Sequence, residues 1–192
     1  MNTYIIAEIG INHNGSLETA KKLIDIAALS GCDAVKFQKR NPDVCVPEHQ
    51  KSVMRETPWG NMTYLAYKYK VEFEQAEYDE IDAYCKEKGI EWSASPWDLD
   101  SLKFLEQYDL PWLKIPSAML TEESLLRESA RTGKKIIFSV GMSNLDEIDR
   151  AVEILREENA EFAMLHCNST YPAPLEELNL DSQGEVRLRS WL

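Results

Sequence analysis

The sequence predicts an α/β chain of the (β/α)8 TIM-barrel type, with about six of the eight βα units. Three observations carry this. Six short apolar runs, at residues 4–9, 34–37, 90–94, 112–115, 135–140 and 162–165, recur along the chain. Periodic helical stretches separate them, which is the pattern of a parallel sheet. Each run ends at or near a residue capable of chemistry: Glu8, Lys36 with Gln38, Ser95, Lys114 with Ser117, Ser139, and His166 with Asn168. Barrels of this type build their sites where strands end.

The elements follow in order. After the first run, Ser16 is placed to cap a helix over 17–30, and Gly31 to end it. The second strand, 34–38, leads into an unusually long connection, 40–70, carrying Pro42, Pro47, Pro58 and Gly60. Its aromatics, Trp59, Tyr64, Tyr67 and Tyr69, suit either a lid or a packed surface excursion. A helix over 74–88 stops at Gly89 before the third strand. A helix over 99–108 precedes the fourth strand, one over 121–131 the fifth, and one over 144–158, capped by Asn144, the sixth. Residues 170–174 form a loop, 175–180 could start another helix, and 181–192 show no clear period.

Composition narrows the function classes. At 192 residues and 44% hydrophobic, the chain has enough core for one domain, whereas a complete barrel usually takes about 250 residues. A net charge of −12 excludes a basic nucleic-acid-binding face, so any anion must be held in a locally basic pocket. The four cysteines form no CxxC pair, which suggests neither a zinc site nor a disulfide framework. No run approaches the ~18 apolar residues of a membrane span, and the first ten residues do not read as a signal peptide. A soluble cytoplasmic protein is expected.

Alternate strand residues point to one side of a sheet. A single consistent parity places Glu8, Lys36, Gln38, Ser95, Lys114, Ser139 and Asn168 around a common axis. Lysines with hydroxyl donors are what a phosphate and a carboxylate require. Glu8 could act as a general base, or form a salt bridge to Lys36 or Lys114. His13 and His166 are candidate acid/base or metal residues, or hydrogen-bonded structural histidines. His49 is expected to be exposed.

The segment Ala7-Glu8-Ile9-Gly10-Ile11-Asn12-His13-Asn14-Gly15-Ser16-Leu17 resembles the opening of the sialic acid synthase family. That family includes N-acetylneuraminate synthases and relatives linked to spore-coat or surface polysaccharide synthesis. Five further blocks agree, in order: Ala34-Val35-Lys36-Phe37-Gln38, Ser95-Pro96-Trp97-Asp98, Lys114-Ile115-Pro116-Ser117-Ala118, Ser139-Val140-Gly141-Met142-Ser143 and Leu165-His166-Cys167-Asn168-Ser169-Thr170-Tyr171-Pro172.

The resemblance implies condensation of phosphoenolpyruvate with N-acetylmannosamine or a related aldose, releasing phosphate, with Mn or Mg as the divalent metal. By position it implies Glu8 as the catalytic carboxylate. Lys36, Ser95, Lys114, Ser117, Ser139 and Asn168 would hold phosphoenolpyruvate, and Gln38 and Tyr171 would stand near the sugar. It further implies a homodimer for the full-length protein, and metal-binding histidines on two later strands that residues 1–180 do not include. The family's C-terminal antifreeze-like domain is also not found in the chain, and 181–192 read as an atypical tail. Met119 stands where some members carry an acidic sugar contact, so the sugar could differ. Two alternatives stay open: a non-catalytic barrel that binds ligand or needs a partner chain, and a Schiff-base aldolase using Lys36 or Lys114.

Overall fold

The computed structural model describes residues 3–170 and 172–178. They belong to two compact units, Met1–Pro111 and Trp112–Leu192, each with its own parallel sheet.

In the first unit, β1 (Ile6–Gly10) leads to α1 (Leu17–Leu29) and β2 (Ala34–Lys39). Strand β1 starts later than the apolar run because the Ile5 amide donates to the Asp33 side chain at 2.6 Å rather than to the ladder. The Ser16 hydroxyl accepts from the Thr19 amide and caps α1, as its residue type predicts.

The connection 40–70 is not a bare loop. It folds into α2 (Pro42–Cys45), α3 (Glu48–Lys51), an antiparallel hairpin of β3 (Met54–Thr57) and β4 (Gly60–Thr63), and α4 (Tyr64–Val71). These elements are too short to show periodicity. Cation–aromatic contacts hold the hairpin region: Arg55 lies 4.3 Å from the Tyr64 ring centroid and Lys70 lies 5.0 Å from that of Trp59.

Helix α5 (Gln75–Lys88) follows, with a capping box between Glu74 and Glu77 and a left-handed Gly89 at its end. Strand β5 (Glu91–Pro96) and α6 (Leu99–Leu105) complete the unit. The sheet order is β1-β2-β5, and all pairs are parallel. Phe37, Tyr78, Trp92 and Tyr108 build its aromatic core, each 7% exposed or less. The buried Tyr78 hydroxyl donates to the Gln38 carbonyl at 2.7 Å, so the core pins the end of β2.

The second unit orders β6 (Trp112–Ile115), β7 (Lys135–Ser139) and β8 (Phe162–Leu165) in a parallel sheet β6-β7-β8. A 3-10 turn (Ser117–Met119) and α7 (Glu123–Arg131) join the first pair, and α8 (Leu145–Glu157) joins the second. Helix α7 starts two residues later than its periodicity suggests, with Glu122 rather than Thr121 as the flanking residue. Asn144 caps α8 through a capping box with Glu147. Leu125, Leu126, Ile136, Phe138, Ile154 and Leu155 fill the space between helices and sheet. Of residues 175–180, Leu175–Glu177 form a 3-10 turn, and 179–180 lie outside the described residues, as do 181–192.

Candidate functional site

Three strand ends of the first unit meet over Lys36. The β1–β2 ladder pairs Glu8 with Lys36 and then skips to Gly10 opposite Phe37, a bulge made possible by the left-handed backbone of Gly10 at φ +55°. The bulge leaves the Glu8 side chain 58% exposed while its carboxylate forms an ion pair with the Lys36 ammonium, which is 3% exposed. Lys36 also donates to the fully buried Ser95 hydroxyl at 3.1 Å. Burial lowers the Lys36 pKa, the Glu8 carboxylate opposes that shift, and nearby Arg40 adds to it. Of the two lysines open to Glu8 from the sequence, Lys36 is its partner.

Gln38, two residues further on the same face, accepts a hydrogen bond from the Arg40 guanidinium. Arg40 was not singled out by the sequence, nor were Glu72 and Trp97 that surround it. Arg40 is 5% exposed, approaches Glu72 Oε1 with its Nε at 2.7 Å, and lies 4.6 Å from the Trp97 ring centroid. The Nε–Oε1 approach is an ion pair set off the hydrogen-bond line, since neither atom has a hydrogen-bond partner. Burial pushes the Glu72 carboxyl up to about 7, against the pull of Arg40 and Lys39. An Arg directly after a strand, with an acid 32 residues later, leaves no local sequence signal.

In the second unit, Ser139 ends β7 at 3% exposure, with its hydroxyl 3.3 Å from the Cys167 thiol. Ser117 Oγ accepts from the Gly141 amide at 3.1 Å, and Ser169 Oγ donates to the Gly141 carbonyl at 3.1 Å. A Cβ on Gly141 would lie 2.9 Å from the Cys167 carbonyl oxygen, so the three loops close only around glycine. Lys114 is half-buried on β6, opposite Ile137. Asn168 is half-buried, and its Nδ2 lies 3.3 Å from the Glu177 carbonyl oxygen. Tyr171 lies outside the described residues.

The histidines differ in setting, and His13 has that of a hydrogen-bonded structural histidine. His13 is 2% exposed, stacks on Phe73 with ring centroids 3.9 Å apart, and accepts from the Gly15 amide at its Nδ1. Burial lowers its pKa to about 4, leaving it neutral. His166 is exposed, with Nε2 2.7 Å from the Leu178 carbonyl oxygen, and His49 is exposed. Among the described residues no group of three or more His, Cys, Asp or Glu could hold a metal ion.

The sequence matches the NeuB family over residues 23–187. The chain belongs to that family. Its relatives include the N,N'-diacetyllegionaminic acid synthase of Campylobacter jejuni, 38% identical over 96% of this chain and 57% of that protein. The N-acetylneuraminate-9-phosphate synthase of Drosophila melanogaster is 35% identical over 98% of this chain and 51% of its own length. Among solved structures, the N-acetylneuraminic acid synthetase of Leptospira borgpetersenii, in complex with citrate, superposes with a TM-score of 0.87 at 29% identity, over 98% of this chain and 62% of that one. The chain thus spans about half the length of the curated NeuB relatives it matches. No helix among the described residues is long and apolar enough to cross a membrane.

Proposed function

We propose that this chain carries the phosphoenolpyruvate-handling part of a nonulosonic acid synthase. Residues 1–180 would be the N-terminal portion of the synthase barrel, about six of its eight units. The observation that carries the reading is the buried Lys36 ammonium, held between the Glu8 carboxylate and the Ser95 hydroxyl. A cation buried in an acidic chain is costly unless it serves a partner or a ligand, and the exposed Glu8 leaves the position accessible.

In this reading Lys36, Ser95, Lys114, Ser117, Ser139 and Asn168 hold the carboxylate and phosphate of phosphoenolpyruvate. Ser117 suits the task because the Gly141 amide occupies one of its lone pairs, leaving the hydroxyl proton to donate to an anionic oxygen. Gln38 and Tyr171 are assigned to an N-acylated amino sugar by their match to the family's positions. Carbon 3 of the enol attacks the sugar aldehyde: a carbon–carbon bond forms, the aldehyde C=O π bond breaks and its oxygen takes up a proton to become a hydroxyl. Water adds at carbon 2 with Glu8 taking one of its protons; the tetrahedral intermediate then loses its hydroxyl proton as the carbon 2 carbonyl forms and the carbon–oxygen bond to phosphate breaks, the phosphate leaving as hydrogen phosphate. A homodimer is the proposed state of the full-length protein.

The test is calorimetric titration of the 192-residue chain with phosphoenolpyruvate, beside a phosphate-release assay with N-acetylmannosamine and Mn. Binding that weakens at least ~10-fold in Lys36→Met supports the reading, one charged hydrogen bond being worth about 1.5–3 kcal/mol. No binding at millimolar ligand overturns it. Binding without phosphate release is the result expected of about six of the eight units, and phosphate release by the 192-residue chain would overturn the incompleteness of its barrel. A second reading, a Schiff-base aldolase, is favoured only by the lowered pKa of Lys36. Borohydride trapping with pyruvate would label Lys36 or Lys114 under that reading and leave the chain unmodified otherwise.

A further inference from the structure

We infer that Arg40, braced by Glu72 and Trp97, is a positioning residue that fixes the Gln38 carboxamide with its NH2 group turned towards Glu8. The inference deepens the reading above, in which Gln38 is assigned to the second substrate, and makes Gln38 a donor there. A guanidinium only donates hydrogen bonds, so the Gln38 atom that meets Arg40 must be the carbonyl oxygen Oε1. The nitrogen then faces the other way. A Cβ on Gly10 would lie 3.3 Å from Gln38 Nε2 and 3.8 Å from Glu8 Oε1, so both groups border the space that the missing Gly10 side chain leaves open.

Each part of the brace has a physical cause. The Gln38 backbone is held by Tyr78 beneath it. The Arg40 backbone amide donates to Glu72 Oε2 at 3.2 Å while its side chain faces Glu72 Oε1, so one carboxylate holds the residue at two points. Trp97 covers the guanidinium face at 4.6 Å. With the arginine immobile, turning the Gln38 amide over would set its NH2 against the guanidinium, donor against donor. The fixed NH2 selects a substrate atom that accepts a hydrogen bond, a carbonyl or hydroxyl oxygen, rather than a donor.

The orientation is read in the ligand-free 192-residue chain by NMR. The Gln38 side-chain amide is identified by its disappearance in Gln38→Leu. The expected result is a cross-relaxation peak from the Gln38 Nε2 protons to the Gly10 α-protons, lost in the double variant Arg40→Met/Glu72→Gln. That variant removes both charges together, so no lone carboxylate is left buried. A peak that persists in the folded double variant, or is missing in the parent chain, overturns the inference. If the parent chain keeps the peak but ignores phosphoenolpyruvate, the proposed function fails and the positioning stands.

Discussion

Gly15 abuts the carbonyl oxygen of Lys70 so closely that a Cβ on Gly15 would lie 2.1 Å from that oxygen. This contact joins the loop after β1 to the last turn of α4 at the end of the 40–70 excursion. Gly15 also adopts φ +68°, where L side chains are strained. Gly15→Ala should therefore destabilise the chain by roughly 2–5 kcal/mol, combining left-handed strain with a backbone clash. Gly133→Ala meets nothing within 4 Å and carries only its φ of +72°, so about 1–2 kcal/mol is expected. Urea denaturation of both variants checks the difference, and equal losses would mean that Gly15 and Lys70 do not touch.

The same loop should respond to acid. His13 is buried against Phe73 with its pKa lowered to about 4 from an unfolded value of 6.5. Between these two values the unfolded chain binds a proton that the folded chain does not. Stability is thus fully present above pH 6.5 and is lost as pH falls through about 4, by about 3 kcal/mol at 1.36 kcal/mol per unit. His13→Phe keeps the stacking and does not titrate. Carboxylates act equally in both proteins, so the wild-type stability curve minus that of His13→Phe should fall by this amount across the window. A flat difference would show His13 to be hydrated.

What could be read in the sequence has a common cause. The six parallel strands and their helices announce themselves through apolar runs and caps, so Ser16, Gly89 and Asn144 occupy the places their residue types predict. Strand parity was enough to group Glu8, Lys36 and Ser95, because a ladder fixes which side chains share a face. The hairpin within 40–70 was not legible: its strands are four residues each, below any detectable period. The Arg40–Glu72–Trp97 cluster was missed because its members are distant in sequence and only folding brings them together. For His13 the sequence leaves two readings open, and its partners, a ring and a backbone amide, are those of the structural one.

Asp98 tests whether the Ser95-Pro96-Trp97-Asp98 block serves the fold. Its Oδ1 caps α6 through the Ser101 amide at 2.7 Å, and its Oδ2 accepts from the Asn41 amide at 2.7 Å and the Ser101 hydroxyl at 2.8 Å. The carboxylate therefore ties the segment after β2 to the start of α6. Asp98→Ala removes the cap and strands the Asn41 amide, so a loss of about 2–4 kcal/mol is expected in denaturant titration. Asp98→Asn keeps the shape and one acceptor oxygen, and should recover about half of that. A loss below ~0.5 kcal/mol in Asp98→Ala would mean that water replaces these bonds freely.

The Glu8–Lys36 pair predicts an asymmetry that neither residue type suggests alone. Glu8 is 58% exposed and Lys36 is 3% exposed, so the two ends of one ion pair face different solvents. Lys36→Met frees a carboxylate that water can solvate and replaces a buried charge with an apolar chain of similar length. Ser95 loses its donor, at about 1 kcal/mol, while the removed cost of burying an ammonium offsets that, so stability should stay within about 1 kcal/mol or rise. Glu8→Ala strands the ammonium in the core with Ser95 as its remaining partner, and breaking a buried pair in this way costs about 3–5 kcal/mol. The Glu8→Ala loss should shrink at alkaline pH, since burial lowers the Lys36 pKa and the lysine can then shed its proton. Thermal and urea unfolding of the two variants at neutral and alkaline pH decide it. Equal losses in both variants would mean that Lys36 is as well hydrated as Glu8.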